Sequence, residues 1–139
     1  MARTSPYAQD CPIARTLDVI GDRWTMIIIR DLFLGRSRFN EFRQSTPRIS
    51  PKLLSERLKR LEDEGIVERV LLDGHPPRAE YRLSPKGRSI FPVLFAIGSW
   101  GFEYLFADEP ELRTEIDAYL RSQVPEYATM SEAAADSGR

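Results

Sequence analysis

A short stretch in the middle of the chain constrains the fold most strongly, because it carries the signals for a helix, a strand, a turn and a second strand in unbroken order. Ser50 and Pro51 predict a helix start, since serine accepts from free N–H groups and proline needs no N–H partner in the first turn. Gly65 predicts the helix end. Residues 66–72 are rich in β-branched side chains and residues 79–83 alternate apolar and polar ones, which together indicate a hairpin.

Three further helices are predicted before this stretch. The first begins at Pro12, and the second is capped by Asp22 and ends before Gly35. Ser37 is expected to cap a short third helix. Two short helices joined by a tight link and followed by a hairpin are typical of a winged helix-turn-helix. The predicted fold class is therefore α+β and mostly α, a winged helix-turn-helix with an N-terminal helix and a long C-terminal dimerisation helix.

The long helix after the hairpin is predicted to run from a Ser84 cap to about Ala107. Pro92 should kink it, because proline leaves the carbonyl of Arg88 without its N–H partner. Its side chains are apolar around most of the circumference, which one small domain cannot cover. We therefore expect it to pair two subunits, although burial within one chain would give the same pattern. The predicted dimer interface comprises Ile90, Leu94, Ile97, Trp100, Gly101, Tyr104 and Leu105.

Three regions are expected along the 139 residues of the chain. Residues 11–107 form the winged helix-turn-helix domain, and residues 108–126 add a helical extension. Residues 127–139 are predicted to be a flexible tail, because small and polar side chains dominate there. The sequence leaves the role of the last two regions open.

Charge is distributed unevenly, although the net charge is only −1. Residues 23–87 carry 14 Lys and Arg against nine Asp and Glu, whereas residues 88–139 carry four Arg against nine acidic residues. Phosphate binding responds to the local field rather than to the charge of the whole chain. The basic middle is therefore compatible with a nucleic-acid partner, and equally with an ordinary solvated surface.

The predicted fourth helix, which begins at Ser50, has one apolar and one polar face. Leu54, Leu58 and Leu61 share the apolar face, which we expect to be buried. Arg57 lies beside that face and is expected to be structural, whereas Arg60 is intermediate and could reach a phosphate. The polar face could enter a major groove, and a plain solvated helix would show the same pattern. The outward residues of this face are Lys52, Ser55, Glu56 and Lys59.

Further DNA contacts are predicted around this helix. Ser50 and the free N–H groups that follow it could bind a phosphate oxygen. The hairpin tip offers Arg78 and, as the weaker candidate, His75, unless the tip is an ordinary surface turn. Ser37, Arg38 and Arg48 are expected to contact the DNA backbone. The complete predicted DNA-binding set is Ser37, Arg38, Arg48, Ser50, Lys52, Ser55, Glu56, Lys59, Arg60, His75 and Arg78.

Cys11 is the only cysteine and directly precedes Pro12 at a predicted helix N-terminus. Free N–H groups and the helix dipole stabilise a thiolate there, and the thiolate is the oxidisable form. A disulfide would require a second chain or a small thiol. Cys11 is therefore a candidate redox sensor, with an inert, half-buried cysteine as the alternative.

Several short motifs resemble those of the HxlR family of bacterial transcriptional regulators in their order and spacing. They are Cys11-Pro12, Gly21-Asp22-Arg23-Trp24-Thr25, Arg30-Asp31-Leu32, Arg38-Phe39-Asn40-Glu41-Phe42, Ile49-Ser50-Pro51-Lys52-Leu53-Leu54, Arg57-Leu58, Leu61, Gly65-Ile66-Val67, Arg69, Pro77-Arg78, Tyr81 and Lys86-Gly87. The resemblance covers about residues 11–105. It implies a winged helix, a homodimer, a palindromic operator and repression. Many members of the family are controlled by a small molecule, an electrophile or an oxidant, so the resemblance also implies an effector of this kind. It further implies that Cys11 is a candidate sensor.

An enzyme is not expected from this sequence. The chain has one His and one Cys, with no metal-ligand cluster and no Gly-rich phosphate loop in its sequence, so neither a cofactor nor a metal is expected. No apolar run could span a membrane, and the first ten residues lack the apolar stretch of a secretory signal. With a single cysteine, this favours the cytoplasm. The stronger rival is a winged helix that binds a protein, whose affinity would depend less on salt than DNA binding does.

Overall fold

The computed structural model describes residues 10–138. Residues 1–9 and Arg139 lie outside the described residues, and so does most of the segment inspected for a secretory signal. The chain divides into two compact units, residues 1–84 and residues 85–139. The boundary therefore falls inside the predicted domain 11–107, directly after the hairpin.

The first unit contains four helices and one hairpin among its described residues. Its elements are α1 (Pro12–Ile20), α2 (Thr25–Phe33), α3 (Phe39–Ser45), α4 (Pro51–Asp63), β1 (Val67–Leu72) and β2 (Arg78–Leu83). The two strands pair antiparallel, with Val67 opposite Leu83 at one end and Leu72 opposite Arg78 at the other. This order confirms the predicted winged helix-turn-helix.

The core of the first unit lies between α2, α3, α4 and the start of β1. Leu54, Leu58 and Leu61 of α4 are buried, which confirms the predicted apolar face. The same periodicity leaves the opposite face of α4 at the surface. The buried apolar residues of α2, α3 and the following segments are Ile28, Ile29, Leu32, Phe33, Phe42, Ile49, Ile66 and Val67.

Asp22 joins the start of α2 to α4. Its Oδ1 accepts hydrogen bonds from the backbone N–H groups of Trp24, at 3.0 Å, and Thr25, at 3.1 Å. The Arg57 guanidinium lies 3.1 Å from the same oxygen. Burial raises the pKa of Asp22, but the bonds from Thr25 and Trp24 and the charge of Arg57 outweigh burial and lower it. The capping role of Asp22 and the structural role of Arg57 are thus confirmed.

The prediction that Ser37 caps α3 is wrong. Glu41 reaches back from the first turn, and its Oε1 accepts from the backbone N–H groups of Ser37, at 3.3 Å, and Arg38, at 3.0 Å. The helix starts one residue later than predicted, with Arg38 in the N-cap position, so Glu41 is its third residue and its carboxylate reaches back to the N–H groups that precede the helix. The carbonyl of Ser37 instead accepts from the N–H of Tyr81 at 2.8 Å, and the Phe42 and Tyr81 rings meet edge-on at 6.3 Å. These contacts fix α3 against β2.

The described part of the second unit contains four helices and no strand. Its elements are α5 (Pro85–Arg88), α6 (Phe91–Leu105), α7 (Pro110–Gln123) and α8 (Pro125–Ser137). The prediction of one long kinked helix is wrong, because the helix ends at Arg88 and a new one begins at Phe91. Pro92 lies in the first turn of α6, where its missing N–H costs nothing. Helix α7 lies within residues 108–126, the segment for which a helical extension is predicted.

The prediction of a flexible tail at residues 127–139 is also wrong as far as residue 138. Helix α8 packs through Tyr127, whose ring lies 5.5 Å from that of Phe95 in α6. The Tyr127 hydroxyl donates to Oδ1 of Asp117 in α7 at 2.6 Å. Glu126 pairs with Arg88, and Val124 is buried before the first turn. These contacts order a segment whose composition alone suggests disorder.

Candidate nucleic-acid interface

The N-terminal half of α4 presents a polar surface. The Ser50 Oγ accepts from the Leu53 N–H at 3.1 Å, which confirms the cap and leaves the hydroxyl proton free to donate. Lys52, Ser55 and Glu56 are exposed on the helix, as predicted from its periodicity. This surface combines a cation, a hydroxyl and a carboxylate, which are groups able to contact phosphates and base edges.

Lys59 lies on the same helix but already has an anionic neighbour. Its Nζ donates to Oδ1 of Asp63 at 2.8 Å. That hydrogen bond and the charge of Asp63 raise the pKa of Lys59. A phosphate would have to compete with Asp63 for the ammonium group, so Lys52 is the better-placed cation of α4.

Arg60 has a partner within the first unit. Its guanidinium donates to the backbone carbonyl of Asp18 in α1, and the side chain is partly buried. The intermediate position of Arg60 on the helix wheel therefore reflects packing of α4 against α1. This contact favours a structural role for Arg60, and its contact with a phosphate stays a prediction.

A polar groove of about 650 Å³ lies between α3 and β2. It brings together three predicted DNA-binding residues, Ser37, Arg38 and Arg78. Asn40 and Gln44 of α3 also line it and were not predicted, although their i, i+4 spacing on the polar face of a short helix is the signal for them. The complete lining comprises Gly35, Ser37, Arg38, Phe39, Asn40, Glu41, Gln44, Arg78, Ala79 and Glu80. Amides and guanidinium groups suit a phosphate backbone.

Two further predicted contacts lie in loops. Arg48 is exposed between α3 and α4. His75 is exposed in the hairpin loop, where the His75-Pro76 peptide bond is cis. Both side chains are accessible, and their contact with DNA stays a prediction.

Cys11 occupies the N-cap position of α1 and is partly buried with a free thiol. Its backbone carbonyl accepts from the Arg15 N–H at 2.9 Å, as in a regular first turn. This confirms the predicted helix start at Pro12. The redox role of Cys11 stays a prediction.

The predicted dimer interface lies on α6 in the second unit. Ile97, Trp100, Tyr104 and Leu105 are each more than half exposed in the single chain. Ile90, Leu94 and Gly101 are partly buried. The Trp100 and Tyr104 rings lie 5.3 Å apart and form a continuous apolar surface.

A family profile matches most of this arrangement. The HxlR-like helix-turn-helix profile covers residues 19–109, from the end of α1 to the residue before α7. This chain belongs to the HxlR-like helix-turn-helix family. Helices α7 and α8 lie outside the match, so this HxlR-like chain carries them in addition to the shared domain.

Individual relatives agree with the family assignment. The HTH-type transcriptional regulator YdeP from Bacillus subtilis is 38% identical over 96 residues, which cover 69% of this chain and 75% of YdeP. PA1607, a candidate transcription factor of known structure, has a TM-score of 0.69 at 44% identity, over 76% of this chain and 73% of its own. The reduced form of the redox regulator HypR has a TM-score of 0.64 at 39% identity, over 67% and 92% of the two chains. The HxlR-like chain is therefore a transcriptional regulator with a helix-turn-helix fold.

The described part of this HxlR-like regulator contains neither a candidate membrane span nor a candidate metal site. No described helix is both long enough and apolar enough to cross a bilayer. Between residues 10 and 138, no three His, Cys, Asp or Glu side chains cluster as metal ligands would.

Proposed function

We propose that this regulator represses transcription in the bacterial cytoplasm by binding a palindromic operator as a homodimer. The α4 residues Lys52, Ser55 and Glu56 enter the major groove, with Ser50 at a phosphate. The observation that carries this proposal is that one unit presents an exposed polar α4 face and a groove lined by Arg38 and Arg78. Such a pair of surfaces can read bases and hold the backbone at the same time.

The dimer part of the proposal rests on α6. A monomer rarely leaves Trp, Tyr, Leu and Ile together at its surface without a partner. Two-fold pairing would present two copies of α4 to half-sites about one helical turn, or ~34 Å, apart. A palindromic operator matches that symmetry.

The effector part of the proposal concerns Cys11. HypR, which has a similar fold, is described as a redox regulator. Because the chain has one cysteine, a disulfide joins two chains or captures a small thiol. An electrophile or another small molecule is the other class of effector. Operator affinity measured before and after mild oxidation, with Cys11→Ser as the control, tests this part.

Salt dependence tests DNA binding itself. We expect affinity for a fragment selected from genomic DNA to fall steeply with salt, by about 0.9 log units per log unit of salt for each phosphate neutralised. Fluorescence anisotropy over a salt series measures it. Flat salt dependence would instead favour a winged helix that binds a protein.

Two lysines of α4 provide a matched pair for the same assay. Lys52→Ala should weaken operator binding by about tenfold without changing the unfolding midpoint, since it removes an exposed contact. Lys59→Ala should cost less, because Asp63 already holds that ammonium group. Unchanged operator affinity in a variant that combines Lys52→Ala with Lys59→Ala would refute the proposed reading face.

A further inference from the structure

Glu80 stands among three arginines at the groove between α3 and β2. Arg78, Glu80 and Arg82 alternate along β2 and therefore share one face of the strand. The Glu80 Oε1 lies 3.7 Å from Nε of Arg38, and its Oε2 lies 3.5 Å from Nη2 of Arg82. One carboxylate thus holds a guanidinium from the start of α3 and another from β2.

The two carboxylates that line this groove have different roles. Glu41 is committed to the backbone N–H groups of Ser37 and Arg38 and so completes the start of α3. The contacts of the Glu80 side chain that the structure describes are with guanidinium groups. Glu80 therefore acts on the charges of the groove, whereas Glu41 supports its shape.

The geometry of the Glu80 pairs leaves them open to exchange. Both distances exceed the about 2.7–2.9 Å of a strong charge-assisted hydrogen bond. The Glu80 side chain is 17% exposed, whereas Arg38 is 45% exposed and Arg82 is 59% exposed. Each guanidinium has five N–H donors, so both arginines remain accessible to another anion. A phosphate entering the groove would compete with Glu80 for Arg38, which lines it, and a phosphate beside the groove would compete for Arg82 on β2.

We propose that Glu80 competes with DNA phosphates for Arg38 and Arg82 and so weakens the backbone part of DNA binding. This inference rests on the proposed function and concerns its regulation. Backbone contacts supply essentially all of the affinity for DNA that lacks the operator. Because Glu80 weakens the contacts with the DNA backbone, base contacts from α4 contribute a larger share of the total affinity.

The test compares two Glu→Gln variants on a duplex of unrelated sequence. Glu80→Gln keeps the side-chain shape and removes the competing charge. Glu115→Gln removes the same charge from the exposed surface of α7, outside the groove. Anisotropy at low salt should show about five- to tenfold tighter binding for Glu80→Gln, and a salt slope steeper by about 0.9 for each phosphate newly held. Glu115→Gln should change both values much less.

A double-mutant cycle with Arg38→Gln identifies the cation that is released. If Arg38 is the main group freed from Glu80, the gain from Glu80→Gln should shrink to about twofold in the Arg38→Gln background, because contacting residues are not additive. Circular dichroism confirms that each variant is folded.

Three results would overturn the inference. The first is a Glu80→Gln protein that binds the unrelated duplex with the same affinity as Glu115→Gln. The second is a Glu80→Gln protein that binds this duplex more weakly than the wild type does, since Glu80 would then support Arg38 instead of competing for it. Both leave the proposed function standing, because the wild-type chain still binds DNA. The third, a wild-type chain that binds no duplex, would remove the proposed function and this inference together.

Discussion

At the scale of single residues, Asp22 shows how one carboxylate can hold two helices. Its Oδ1 accepts the first N–H groups of α2 and contacts Arg57 of α4. The Thr25 hydroxyl also donates to Oδ2 of Asp22. Because α4 carries the proposed reading face, the position of that face relative to α2 depends on this side chain.

Asp22→Ala should destabilise the first unit by about 1–2 kcal/mol, the usual cost of losing a capping side chain. The pKa of Asp22 is lowered in the folded chain, so its contribution is present above the unfolded pKa and is lost as pH falls through the folded pKa. The difference in urea unfolding between the wild type and Asp22→Ala should therefore be complete at neutral pH and shrink as the pH falls below the ordinary carboxyl pKa of 3.8.

Asp63→Ala is the matched control for Asp22→Ala, since it removes an exposed i, i+4 partner of Lys59. Such surface pairs contribute little to stability, because solvent screens the two charges. An Asp22→Ala protein as stable as the Asp63→Ala protein at pH 7 would show that the capping contacts contribute little.

The sequence predicts local contacts of these residues better than distant ones. Asp22 and Ser50 cap helices as predicted, because capping is decided within three residues. The prediction for Ser37 fails because α3 begins one residue later, with Arg38 in the N-cap position. The partner of Arg60 is missed for a different reason, since it is the carbonyl of Asp18, 42 residues away in sequence. Periodicity gives the direction of a side chain but not the neighbour it meets.

At the scale of helices and strands, α8 depends on contacts that composition does not reveal. Its sequence is rich in small residues and suggests a tail. Tyr127 nevertheless reaches Phe95 of α6 and Asp117 of α7. In the same way, Pro92 is compatible with a kink or with a helix start, and only the structure shows that α6 begins beside it. The groove between α3 and β2 likewise requires their packing, which no single segment encodes.

Tyr127→Phe should loosen α8, because it removes the hydroxyl that bonds to Asp117. Burial and that hydrogen bond raise the pKa of Tyr127 to about 12, so its contribution is complete below the unfolded pKa and is lost as pH rises through the folded pKa. We expect a loss of about 1 kcal/mol near pH 7 and faster amide exchange in α8. The difference should vanish in strongly alkaline solution.

Tyr119→Phe controls for the loss of a tyrosine hydroxyl, since Tyr119 is half exposed on α7. Ultraviolet titration should lose the tyrosine step at about pH 12 in Tyr127→Phe and keep it in Tyr119→Phe. Equal amide exchange in α8 of both variants would show that the Tyr127 hydroxyl does not order this helix.

At the scale of the whole molecule, charge and apolar surface are divided along the chain. Residues 23–87 carry the excess of Lys and Arg, and residues 88–139 carry the excess of acids. The largest exposed apolar side chains cluster on α6, in the second unit. If the first unit holds the duplex and the second unit holds a second copy of the chain, as proposed, the two functions should be separable by mutation.

Trp100→Ala tests that separation. Trp100 is exposed in the single chain and packs on Tyr104, so its loss should leave the fold of one chain intact while weakening the dimer. Sedimentation equilibrium at micromolar concentration should then show monomers. Operator affinity should fall by about 100-fold or more, because the second half-site no longer benefits from a high effective concentration. Affinity for a single half-site should stay close to the wild-type value, since the α4 face and the groove lie in the first unit.

Tyr119→Ala removes a comparable exposed aromatic from α7 and should leave the proposed dimer unchanged. A Trp100→Ala protein that remains dimeric would show that Trp100 is not needed for the dimer interface. A monomeric Trp100→Ala protein that still binds the full operator tightly would show that operator binding does not require a dimer.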